Sequence, residues 1–160
     1  MMPFNELLSI ICLSASIIKS PPVKRMKRFS LLINYNINSE RKEYINFLDK
    51  NDLHFGFATF WNANVTTELS HGKIRIAGLE PSGLEPDNRF NIQGWLNPVK
   101  YYDPSFHQGE SFLLLTRDEW ELAKLTGREF SLLKPDYYDS NFIIIRYPSA
   151  QIIHNDVLDN

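Results

Sequence analysis

The chain has 160 residues, the size of one domain and enough to bury about two-thirds of its unfolded surface without disulfide or metal staples. With 43% hydrophobic, 22% charged and 13% aromatic residues it falls among folded globular proteins rather than disordered ones. The formal charge of −2 offers no basic excess for a phosphate backbone, so no nucleic-acid partner is expected, and Cys12, the sole cysteine, precludes an intrachain disulfide or a cysteine-based zinc site.

The first element is the uncharged run Leu7 to Ile18. As a helix, twelve residues reach about 18 Å, short of the roughly 30 Å of a bilayer core. Met1 to Glu6 contain no Lys or Arg, which departs from the basic start of a secretory signal. Two readings stay open for residues 1–20: a remnant of a longer membrane span, or a soluble helix whose apolar face lies on the core. Pro21 and Pro22 stop a helix near Ser20, and Lys24, Arg25, Lys27 and Arg28 would then lie at headgroup level, in a basic linker over residues 21–38.

Ser39 as an N-cap, Glu40 in the first turn, and Tyr44, Phe47 and Leu48 at helical spacing predict an amphipathic helix over Glu40 to Lys50. His54 to Phe60 reads as a buried strand, Asn62 to Leu69 as a helix closed by His71-Gly72, and Lys73 to Leu79 as an alternating strand. If those strands are parallel, the crossover between them is expected to be right-handed. Gly-Leu-Glu-Pro occurs twice between Gly78 and Pro86, as a loop, and Arg89 to Leu96 reads as a strand before an aromatic turn through Tyr101-Tyr102-Asp103-Pro104. Ser111 to Thr116 is a further strand. Thr116-Arg-Asp-Glu119 has capping-box spacing ahead of a helix carrying Trp120, Leu122, Ala123 and Leu125, with Gly127 as its stop. Arg128 to Lys134 and Asn141 to Tyr147 complete the sheet as a hairpin around Pro135 to Ser140. The expected fold is α/β: a single domain over residues 39–160, with a mixed sheet of about five strands and two or three helices.

Trp61, Trp95, Tyr101, Tyr102, Tyr137 and Tyr138 all fall at element ends or in loops. Flat aromatic faces stack on the C–H faces of sugar rings while nearby amides and carboxylates hydrogen-bond the hydroxyls. Trp61, Asn62, Asn64, Thr67, Trp95, Tyr101, Asp136 and Tyr137 are therefore the candidate ligand-binding residues. The competing reading buries Trp61 and Trp95 in the core with their indole N–H on backbone acceptors. Asp118-Glu119 forms an acid pair whose place in a first helical turn favours capping over catalysis. His107 and Glu110 stand three apart with no second paired motif, so no metal is expected. The sequence contains no Gly-x-Ser-x-Gly, Gly-x-Gly-x-x-Gly or phosphate-loop motif, so neither a catalytic residue nor a cofactor is assigned. Asn64-Val-Thr66 has the form of a glycosylation sequon.

Phe60-Trp61, Asn62-Ala-Asn64, Thr67, Ser70 and Gly72-Lys-Ile-Arg-Ile76, continued by Gly94-Trp95-Leu96, Ser111 to Thr116 and Asn141 to Tyr147, resemble the region after the last membrane span of bacterial multi-spanning glycosyltransferases. Those enzymes are of the protein-mannosyltransferase and glucosyltransferase type and use lipid-linked sugars. The resemblance covers roughly residues 40 to 155. It implies that the catalytic acidic residue sits in an early loop between membrane helices, outside this stretch, and that the chain is a fragment of a longer enzyme. The expected function is a non-catalytic domain that helps position the glycan acceptor or the lipid-linked sugar donor. Its partners would be the membrane-embedded remainder of the enzyme, a lipid-linked sugar or glycan, and the membrane surface through residues 7–28. The domain would lie on the extracytoplasmic face, although the basic cluster alone would point to the cytoplasmic one. The alternatives are a free-standing carbohydrate-binding or protein-interaction module, and a small hydrolase or transferase.

Overall fold

Five successive buried residues, Phe55–Thr59, form β1, and a strand with no polar face must be covered on both sides. That requirement sets the architecture. Ser39–Asn160 packs as one unit, and the computed structural model describes residues 39–81, 90–95, 97–126 and 133–158 of the chain. In chain order the elements are helix α1 (39–50), β1, α2 (Phe60–Leu69), β2 (Arg75–Pro81), β3 (Phe90–Ile92), a 3-10 turn (Val99–Tyr102), β4 (Ser111–Thr116), α3 (Arg117–Thr126), β5 (Tyr137–Tyr138), β6 (Phe142–Tyr147) and α4 (Ala150–Val157). The strands form one mixed sheet in the order β3-β2-β1-β4-β6-β5. β1 runs parallel to β2 and β4, whereas β3, β6 and β5 pair antiparallel to their neighbours.

Alternate residues of these strands feed two separate cores. On one face Phe55, Phe57, Leu79, Leu113, Leu115, Ile143 and Ile145 pack against Trp120 and Ala123 of α3 and Ala150, Ile153 and Val157 of α4. On the other, Ala58, Ile76, Phe112, Leu114 and Ile144 pack against Tyr44 and Leu48 of α1 and Ala63 of α2. The result is an α/β domain with helices on both faces of a mixed sheet.

The described residues hold six strands and four α-helices, where about five strands and two or three helices were expected. α4 had no expected counterpart. Of the strand expected over Arg128 to Lys134, the described residues Leu133 and Lys134 are not in a strand. The outermost strand is instead Tyr137–Tyr138, inside the stretch expected to be the turn. Asp139 explains the displacement, because its Oδ1 accepts the backbone N–H of Asn141 and of Phe142 at 2.7 Å and so closes a tight hairpin between β5 and β6. The β3 strand is shorter than the reading Arg89 to Leu96, and Ser39 is already helical rather than an N-cap. The capping box at α3 forms as expected: Thr116 N–H donates to Glu119 Oε2 at 2.7 Å, and Glu119 N–H donates to Thr116 Oγ1 at 3.2 Å. His71 and Gly72 take positive φ after α2, where the helix turns into β2. The apolar helix expected over 1–20, the basic linker over 21–38, the second Gly-Leu-Glu-Pro copy and the Gly127 stop lie outside the described residues. No helix among the described residues is long and apolar enough to cross a membrane.

Candidate functional site

At the carboxyl end of β1 the chain passes directly into α2, so Phe60 and Trp61 occupy its first turn. Phe60 is half-buried, whereas Trp61 is 75% exposed. From the other side, the chain after β3 brings Trp95 flat onto Phe60, with ring centroids 5.8 Å apart and planes 16° apart. Trp61 meets Phe60 at 5.3 Å and 74°, so the three rings form an aromatic corner with Phe60 as its base. Trp95 is 68% exposed. The reading that places both tryptophans in the core is therefore corrected. Phe60 occupies the inner position, and both indoles are left facing solvent.

Polar groups beside Trp95 hold it in place. Gln93 Nε2 donates to Glu80 Oε2 at 3.3 Å, and the Trp95 backbone N–H donates to Gln93 Oε1 at 3.4 Å. Asn97 Nδ2 lies 3.4 Å from the Gln93 carbonyl oxygen and 3.3 Å from that of Trp95. Gly78 leaves the room Asn97 occupies, since a Cβ there would stand 2.5 Å from the Asn97 amide nitrogen. From the opposite side Tyr102 shares its hydroxyl proton between the carbonyls of Gly78 at 2.8 Å and Gln93 at 2.6 Å. Burial pushes the Tyr102 phenol up to about 12, so it stays a donor at every ordinary pH. Trp61, Trp95, Phe60, Glu80, Gln93 and Asn97 thus form one exposed aromatic ledge with amides and a carboxylate along it.

The other sequence-predicted site residues are engaged in contacts of their own. Asn62 is buried: its Oδ1 accepts from Arg41 at 3.1 Å and its Nδ2 donates to Thr59 Oγ1 at 3.1 Å. Asn64 Nδ2 donates to the Phe60 carbonyl one turn back, which ties its amide to its own helix. Thr67 is in the last full turn of α2, where its carbonyl accepts the Gly72 N–H. Tyr101 packs on Phe55 and Phe106 at the opposite face of the sheet. Asp136 and Tyr137 belong to the far edge. Asp136 Oδ2 accepts the Arg146 backbone N–H at 3.0 Å, and the Arg146 side chain also reaches Asn51 and Glu110. Tyr137 donates to Asp139 at 2.5 Å, and burial first, then that carboxylate, raises its phenol well above the ordinary value. Outside this set, the His107 ring lies 3.1 Å from the Glu110 carbonyl oxygen, a local backbone contact.

Asn62 and its neighbours explain how α2 turns polar residues inward. Arg41 donates to the Tyr44 hydroxyl at 3.3 Å, Tyr44 meets Thr66 Oγ1 at 2.8 Å, and Thr66 donates to the Asn62 carbonyl at 2.6 Å. Thr66 has one proton and spends it on that carbonyl, so Tyr44 is the donor in the middle contact. Both hydroxyls in this relay have partners, and it ties α1 to α2. Replacing Thr66 with valine strands the Tyr44 hydroxyl proton in a buried site. Chemical unfolding should show a loss of about 1–3 kcal/mol, and the Tyr44→Phe, Thr66→Val pair should lose less than the sum of the single changes.

His154 on α4 is a further buried titratable group. Its ring is 5% exposed, meets Phe57 edge-on at 5.4 Å, and its Nε2 lacks a hydrogen-bond partner among the described residues. Burial holds its pKa below the ordinary 6.5, with Asp103 pulling the other way. The unfolded chain then binds a proton that the folded chain resists. Stability is complete above pH 6.5 and is lost as pH falls from there toward the folded value. Thermal melts from neutral pH to about pH 5 should show a declining midpoint, and His154→Leu should flatten that decline.

No protein-family model, curated protein or solved structure matches the chain.

Proposed function

We propose that residues 39–160 form a non-catalytic glycan-contacting domain, with the ledge of Phe60, Trp61 and Trp95 as its sugar-binding surface. One observation carries this reading: two indoles, 75% and 68% exposed, are held at a fixed angle on a third ring rather than being buried. Exposing that much aromatic surface costs hydrophobic burial, and such positions mark binding surfaces when the rings are contiguous and bordered by polar groups. Gln93, Asn97 and Glu80 supply those groups, matched to the hydroxyls that project from the rim of a stacked sugar ring.

The larger context follows from the resemblance of residues 57–76 to the region after the last span of membrane glycosyltransferases. In that setting the domain lies on the extracytoplasmic face and presents an acceptor glycan or lipid-linked donor to the membrane-embedded remainder, which carries the chemistry. Residues 7–28 lie against the membrane surface. The same ledge serves a free-standing carbohydrate-binding module equally well, and flotation with anionic liposomes separates the two. The full chain floats in the first case and stays in the soluble fraction in the second.

The direct test is titration of the full chain with a panel of neutral oligosaccharides, followed by tryptophan fluorescence. A saturable change in emission with at least one of them is the expected result. A panel in which no oligosaccharide changes the emission, while a protein partner does, would replace the glycan reading with the interaction-module one.

A further inference from the structure

Within the ledge the only ionisable side chain among the described residues is Glu80. It is exposed, lies in register beside the start of α2, since Leu79 pairs with Thr59, and is joined to Trp95 through Gln93. None of the ion pairs among the described residues uses it. The ledge therefore combines the negative faces of two exposed indoles with one exposed carboxylate, and both attract positive charge.

Resting on the glycan reading above, we propose that the ledge selects sugars by charge: its ligand is an amine-bearing hexosamine unit, stacked on the Trp95 indole with its ammonium directed to Glu80. Anionic sugars are disfavoured by the same two features. A uronate carboxylate set beside Glu80 would meet a like charge with no basic group among the described residues of the ledge to offset it, and like-charge juxtaposition is an effective means of rejecting a wrong ligand. Neutral sugars keep the stacking and the hydrogen bonds but gain nothing from Glu80.

Chitosan oligomers and their fully N-acetylated counterparts isolate the charge, since they share linkage and ring geometry. Binding to the full chain is measured by calorimetry at a pH where the amines are protonated and the fold is intact, with oligogalacturonates as the anionic arm. The expected result is that the free-amine oligomer binds about fivefold tighter than the acetylated one, the scale of an exposed ion pair. That margin should shrink with added salt and vanish in Glu80→Gln, while Glu80→Lys shifts the preference to oligogalacturonate. Equal binding of the two chitosan forms, or a margin that survives Glu80→Gln, overturns the charge selection while leaving the glycan ledge standing. Absence of binding by every oligomer overturns both.

Discussion

Replacing Phe112 with alanine should cost about 3–5 kcal/mol. Phe112 is fully buried at the centre of the sheet, where β4 pairs with β1, and its register partner is Gly56. The ring fills the space above that glycine. A Cβ on Gly56 would stand 2.6 Å from three carbons of the Phe112 ring, and a fully buried ring has no room to retreat. Gly56→Ala should accordingly destabilise by about 1–3 kcal/mol through overpacking. Combining Gly56→Ala with Phe112→Leu should recover part of that loss, because the smaller side chain vacates the contact. Urea unfolding reports each effect as a shift in midpoint at constant slope. If Gly56→Ala is neutral, the large-over-small packing between β1 and β4 is wrong as described.

The second large effect concerns binding. Trp95→Ala should weaken oligosaccharide binding roughly tenfold or more, the scale at which truncating a buried aromatic anchor acts at an interface. Trp61→Ala should act in the same direction. Neither indole belongs to either core cluster, so the melting temperature of each variant should stay close to that of the parent. Asn64→Ala provides the contrast: its amide bonds within α2, so the change should leave binding untouched. Loss of binding that merely follows loss of stability would mean the ledge is structural.

Much of this fold was legible because the sheet is buried on both faces. The runs Phe55–Thr59, Ser111–Thr116 and Phe142–Tyr147 are nearly free of polar residues, and the reciprocal hydrogen bonds of Thr116 and Glu119 follow from their spacing alone. α4 carried a readable signal in Ala150, Ile153 and Val157, three inward positions at helical spacing after Pro148-Ser149. β5 carried none, since two residues set by an Asp139 turn leave no periodicity to read.

The site divides along the same line. Trp61 and Trp95 fall at element ends as read from the sequence, but their meeting depends on Phe60 and on the pairing of β2 with β3 across the loop between them, which no local pattern encodes. For that reason Glu80, Gln93 and Asn97 were invisible as site residues. Asn62 misleads for the opposite reason. Its amide looks available in sequence, yet a long-range contact with Arg41 and a local one with Thr59 consume it.

The central claim is that sugar contacts the ledge of Trp61 and Trp95. The chain has three tryptophans, and Trp120, 5% exposed on the core side of α3, serves as an internal control. Indole N–H resonances of the full chain, assigned by single substitution and followed during titration with a binding oligosaccharide, test that claim most directly. The expected result is that the Trp61 and Trp95 signals move together along one saturation curve while Trp120 stays in place. Saturable binding that leaves Trp61 and Trp95 unmoved would contradict the account.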